Sequence, residues 1–275
     1  MSTATLQMHI DLAGIAGRVQ RLLKQVNYMA SIGVRAGDGI TDASLGMPEV
    51  TIVHEYDHTN PWSVTEAQSA WRAWVLTNAF RDIAEVIAGI LEEVQQVLSI
   101  WSVLKPGEPS SVVPVEAWNA RVATRAMQFH RRTLPQKLEF LTSEYGFSMP
   151  AERVSEITSI NAARNCFVHR GGVVSKVDLD SSGSLVLRWR QLAPFVVEDG
   201  TEKPLVLPYL VESGSQIGVK VEPRERSFAE GEQLQVGLED FSGICWTLFT
   251  IAQACGQDLE TYGRDKGFEI SARAS

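Results

Sequence analysis

The chain has 275 residues, 44% of them apolar, and 25 Lys and Arg against 33 Asp and Glu give a net charge of −8; the pI is about 5.2. That acidic balance excludes broad, sequence-independent wrapping of nucleic acid, which needs many cations, and leaves room only for local basic clefts. No run approaches the ~18 apolar residues of a membrane span, the first residues lack the basic start and apolar run of a signal peptide, and Cys166, Cys245 and Cys255 form no Cys-x-x-Cys pair, which argues against a disulfide framework and for a reducing, cytoplasmic compartment.

Residues 9–32 carry Ile10, Ala13, Val19, Leu22, Leu23, Val26 and Met29 at helical spacing, with Gly33, Gly37 and Gly39 expected to close the element. Residues 37–64 read as a loop with one short strand, Val50–Val53. Ser63-Val64-Thr65-Glu66 matches a capping box. It opens a long helix to about Trp101, free of Pro, with Gly89 as its one candidate bend. Lys105 to Ser111 is a turn. A helix from about Val115 to Glu144 follows, adjusted near Pro135 and ended by Gly146. Pro150 suits the first position of the next helix, about 151–169.

After Gly171-Gly172 the periodicity switches. Val173-Val174, 185–189, 194–197, 205–207 and 217–221 are short β-type runs between turn residues. Residues 235–262 return to helix with Phe241, Ile244, Cys245, Leu248, Phe249 and Ala252 as the buried stripe. The expected architecture is mainly α: a helical bundle, one domain over 1–275, with a small β-rich insertion at about 173–222 before the last helix.

The chemistry concentrates in Ala163-Arg164-Asn165-Cys166-Phe167-Val168-His169-Arg170-Gly171-Gly172. Arg offers a planar fork of donors to a phosphate. His exchanges a proton near neutrality with a ribose 2′-hydroxyl or a leaving 5′-oxygen. Asn165 and His169 are four apart and share a helix face, whereas Arg164 lies about 140° away from His169 around the same axis. Arg164 instead continues the stripe Val154, Ile157, Asn161, Arg164, Val168. Polar groups on an apolar seam need partners, and a symmetric second copy would supply them. The competing account of the same residues is a helix C-terminal cap, with cations near the last carbonyls and a left-handed Gly.

Arg164-Asn165-Cys166-Phe167-Val168-His169 resembles the Arg-x(4–6)-His motif of the HEPN superfamily, in the version with a polar residue directly after Arg. The resemblance implies a HEPN-like helical bundle and a metal-independent RNA endonuclease that uses no cofactor. It further implies Arg164, Asn165 and His169 as site residues, and a homodimer of the kind found in toxin–antitoxin or antiphage systems, with an antitoxin or defence protein as partner. Other relatives are non-catalytic binding or assembly modules, which keeps that alternative open.

Three further signals carry less. His54-Glu55-Tyr56-Asp57-His58 matches His-Glu-x-x-His, but it follows a strand-like run and precedes Pro61, so a loop is expected rather than a zinc helix. Trp71, Trp74 and Trp101 at helical spacing are expected in the core or an interface. Cys166 is expected to pack, although the neighbouring cations would lower its pKa. Arg121, Arg125, His130, Arg131, Arg132 and Lys137 read as a solvated basic face.

Overall fold

The computed structural model describes residues 10–41, 63–104, 115–198, 200–205 and 216–270, without the side chains of 115–119 and 121. Among them are six α-helices and one three-stranded antiparallel sheet, placed before the last helix. The mainly α architecture with a late β insertion is as the sequence predicts.

Helix α1 (Leu12–Asp38) starts where the Asp11 carboxylate accepts the Gly14 N–H at 3.0 Å. Helix α2 (Val64–Trp101) starts at the expected capping box, with Ser63 N donating to Glu66 Oε2 at 2.7 Å and Glu66 N to Ser63 Oγ at 3.3 Å. The two run antiparallel. Helix α1 does not stop at Gly33, because Gly33 and Gly37 serve the helix–helix contact. A Cβ on Gly33 would come within 2.8 Å of Val75, and one on Gly37 within 2.5 Å of Trp71. Their absence lets the helices approach, and the Trp71 indole N–H donates to Gly33 O at 2.7 Å.

The single helix expected from 115 to 144 is two, α3 (Val115–His130) and α4 (Leu134–Tyr145). Pro135 falls in the first turn of α4, where a missing N–H is harmless; continuing α3 through it would have cost a hydrogen bond and a clash with the carbonyl four residues earlier. Helix α4 ends at Gly146 in the left-handed region. Pro150 caps α5 (Ala151–Arg170) and is not its first residue.

Helix α5 buries Ile157, Ile160, Ala163, Cys166 and Phe167, and the Phe167 ring meets Phe80 of α2 at 5.2 Å between centroids. Helix α6 (Leu238–Asp265) runs antiparallel to α1 and buries Phe241, Ile244, Leu248, Ile251 and Leu259. One apolar cluster joins these helices to the start of the sheet.

Strand β1 (Leu185–Glu198) is the centre of the sheet, between β2 (Thr201–Pro204) and β3 (Gln216–Phe228). The two runs expected at 185–189 and 194–197 are one strand. Pro194 does not break it, because its imide nitrogen points away from β3, to the side where Leu205 N donates to Pro194 O at 3.0 Å. The run at 205–207 lies beyond the end of β2, with 206–207 outside the described residues, and Val173 makes only an isolated bridge to Gln233. Strand β3 continues to Phe228, past the expected limit of the insertion.

The inner half of β1 is joined to the helices by hydroxyls. Arg188 N donates to Ser159 Oγ of α5 at 2.9 Å, and Arg190 N to Thr247 Oγ1 of α6 at 2.7 Å. Each hydroxyl lies 2.9 Å from a carbonyl of its own helix, Glu156 O and Gly243 O respectively. Gly243 makes room: a Cβ there would meet the Trp189 ring at 2.7 Å. Replacing the fully buried Thr247 by Val keeps the shape and strands the Arg190 N–H. Thr247→Val is expected to lower stability by about 1–3 kcal/mol in urea unfolding. An unchanged midpoint would show that the strand does not depend on this hydroxyl.

Candidate active site at the end of helix α5

Arg164, Asn165 and His169 all lie on the last turns of α5, which stays α-helical through Arg170. Gly171 and Gly172 then take φ of 59° and 85°, and Gly172 N donates to Cys166 O at 3.1 Å. This left-handed ending is the cap that glycine supplies without a Cβ penalty. Because α5 does not unwind, Asn165 and His169 share a face as expected, and Arg164 remains around the axis from His169.

The structure brings two of the three together. Arg164 Nη1 donates to Asn165 Oδ1 at 3.2 Å, and Nη2 meets Glu85 Oε1 of α2 at 2.5 Å. The Arg164 side chain is 28% exposed and that of Glu85 is 62% exposed. His169 is exposed, and no hydrogen bond or ion pair holds it among the described residues. Its ring sits in the last turn of the helix, at the carbonyl end. Glu85 was not legible in the sequence: it is one exposed acid on a long helix, 79 positions from Arg164.

The expected apolar seam is corrected. Of Val154, Ile157, Asn161, Arg164 and Val168 only Ile157 is buried. The face packed into the core is Ile157, Ile160, Ala163 and Phe167, with Glu156, Ser159 and Cys166 beside it. Asn161 and Arg164 stand half-buried at its margin, and Arg164 finds its carboxylate within its own chain. A second copy is therefore not needed to satisfy it.

The neighbouring Arg170 has a structural task. It pairs with Asp178, whose side chain is 3% exposed, and Ser175 N and Oγ donate to the same carboxylate at 2.9 and 3.1 Å. This ties the helix end to the 3-10 turn Lys176–Asp178. Cys166 is buried, and burial pushes its thiol up, aided by the Asp178 charge, against the lowering effect of Arg170. The expectation of a lowered pKa is overturned because desolvation of the thiolate outweighs the nearby cation. The residue remains a packing group.

Other candidates separate from this site. His54 and His58 lie outside the described residues, and no group of three His, Cys, Asp or Glu side chains with metal-ligand placement occurs among the described ones. Trp101 is buried and stacks on Tyr262 and Phe268. Trp71 lies against α1, and Trp74, stacked on it at 5.4 Å, is 60% exposed and so not core. Half of the basic stretch is paired with acids: Arg125 with Glu144, and both His130 and Lys137 with Glu92, while Arg132 lies over the Phe140 ring. A groove of about 830 Å³ between α2 and α3 is lined by Glu92, Glu93, Ala126 and Met127, among others. Both carboxylates are already paired, Glu92 with His130 and Lys137 and Glu93 with Arg18.

The contrast between His169 and Arg170 is measurable. His169→Ala removes an exposed, unpartnered ring and is expected to change stability by less than about 1 kcal/mol. Arg170→Ala leaves the Asp178 carboxylate buried without its cation and is expected to cost about 3–5 kcal/mol. Chemical denaturation of the two variants checks the difference, and equal effects would mean that the Arg170 pair is not structural.

No protein-family model matches the chain, and no curated protein or solved structure matches it either.

Proposed function

We propose that the protein is a metal-independent RNA endonuclease of the HEPN type. The observation that carries this reading is an exposed imidazole at the end of α5, without a partner among the described residues, one helical turn from an Asn that bonds a partly buried guanidinium. Arg164 binds the scissile phosphate through its fork, and Asn165 orients that fork. His169 acts as general acid or base. In the reaction the ribose 2′-oxygen loses its proton and bonds to phosphorus. The bond from phosphorus to the 5′-oxygen breaks, and that oxygen takes up a proton. The products are a 2′,3′-cyclic phosphate and a 5′-hydroxyl. The reading includes a homodimer in the cytoplasm and a role in a toxin–antitoxin or antiphage system, with an antitoxin or defence protein as partner.

Glu85 bears on this directly, because its carboxylate occupies the guanidinium that a phosphate would need. RNA must displace it, so Glu85→Ala is expected to tighten RNA binding, while Arg164→Ala weakens it.

A second reading has its own support. The left-handed Gly171, the Arg170–Asp178 tie and the absence of an Arg164–His169 contact together make a complete helix end. A non-catalytic HEPN-like binding or assembly module needs no more than that.

Incubation of the purified protein with total RNA in EDTA separates the readings. Cleavage is expected in EDTA, with cyclic-phosphate ends, and a 2′-deoxy residue at the cleavage site is expected to block it. His169→Ala and Arg164→Ala are each expected to abolish cleavage without unfolding the protein. Activity that is lost in EDTA and restored by Zn²⁺ would move the chemistry to His54 and His58. Variants that behave as the parent would leave the binding module.

A further inference from the structure

Among the described residues the outer edge of β3 pairs with no other strand, and its direction can be read from the hydrogen bonds of β1. The N–H groups of Arg188 and Arg190 go to Ser159 and Thr247, and Pro194 O accepts from Leu205. Even-numbered residues of β1 therefore face away from β3. The β1–β3 register is continuous, from Leu185 opposite Phe228 to Val197 opposite Gln216. It follows that the even-numbered residues of β3 bond to β1. The odd-numbered ones, Ile217, Val219, Val221, Pro223, Glu225 and Ser227, turn their backbone groups outward. Pro223 fits this assignment, because it has no N–H to offer and sits at an outward position.

The side chains of this edge are as unusual as its backbone. Ile217, Val219 and Val221 are 55%, 60% and 53% exposed, and Leu192, opposite Val221 on the same face, is 41% exposed. Natural edge strands are generally blunted by charges, proline or a covering element. The far half of β3 has such protection in Glu222, Pro223, Arg224, Glu225 and Arg226, but the half from Ile217 to Val221 presents an apolar row beside free N–H groups.

We propose that β3 pairs antiparallel with β3 of a second copy, about a two-fold axis at Val221, giving a six-stranded sheet across a homodimer. The charge pattern selects this register. Centred on Val221, it sets Lys220 opposite the second copy's Glu222, and Glu222 opposite its Lys220, in the closely spaced non-hydrogen-bonded pairs. Val221 meets its own equivalent and exchanges both backbone bonds with it. Val219 meets Pro223, and its N–H donates to the proline carbonyl. Lys220 now reaches Glu222 and Glu202 at 3.2 and 3.4 Å within its own chain. Such exposed pairs are weak and re-form across an interface at little cost. The proposal does not depend on the nuclease reading, since the sheet edge and the end of α5 share no residue.

Light scattering on the full chain, with a mass of 30.3 kDa, is expected to show twice that mass at micromolar concentration. Lys220→Glu and Glu222→Lys each set like charges against each other and are expected to weaken dimerisation at least tenfold. The double variant, which swaps the two charges, is expected to restore it. Val221→Cys is expected to cross-link into a dimer under mild oxidation, against a silent background, because Cys166, Cys245 and Cys255 are all buried. A monomer throughout the micromolar range would overturn the proposal. So would a dimer that is indifferent to both charge reversals and that the Val221→Cys variant fails to cross-link, which would place the interface elsewhere.

Discussion

A β-strand laid against helices must satisfy the backbone groups of its free edge, and here two hydroxyls do so. Ser159 and Thr247 accept the N–H groups of Arg188 and Arg190 while remaining hydrogen-bonded to their own helices. An unmatched buried N–H would cost about as much as a whole hydrogen bond contributes, or more. The sheet can therefore enter the bundle edge-on, with Leu185, Leu187 and Trp189 buried, only because α5 and α6 carry a hydroxyl at the right height. From Pro194 onward β2 takes over the same edge of β1.

That junction also sets the position of the candidate site. Helix α5 is held at three levels: Ser159 and the Glu156–Arg190 pair at the sheet, the Phe167–Phe80 contact at α2, and the Arg170–Asp178 pair at its end. Glu156 is 5% exposed and accepts two bonds from Arg190, at 2.7 and 3.2 Å. With so much of the helix immobilised, the last turn can present His169 to solvent without support of its own. Arg153, Arg170 and Arg190 are matched by acids that are themselves largely buried, whereas the partner of Arg164, Glu85, is largely exposed and so exchangeable.

The same sheet explains why one surface of the protein is left incomplete. β1 spends one edge on the helices and β2 and the other on β3, which leaves β3 as an outer strand with no helix packed on its far side among the described residues. Strand length beyond the bundle, free outward N–H groups and an apolar row coincide there. At the end of α5, by contrast, Arg164 and Arg170 are already engaged by Glu85 and Asp178.

What the sequence determined by itself is what short-range rules control. The capping box at Ser63, the ending at Gly171, the switch from helical to alternating periodicity near residue 173 and the grouping of Arg164, Asn165 and His169 all follow from residues within a few positions of one another. Four features were decided only in three dimensions. Gly33 and Gly37 look like stop signals until a second helix lies against them. Pro194 looks like a break until the missing N–H is seen to face away from β3, at the end of β2. The seam through Asn161 and Arg164 looked buried by periodicity, but a helix has several apolar stripes, and the packing of α2 and β1 selects among them. Glu85 reached Arg164 across 79 positions. Spacing along one helix is a property of the chain, whereas the partner that meets it depends on how the helices cross, and no local pattern encodes that.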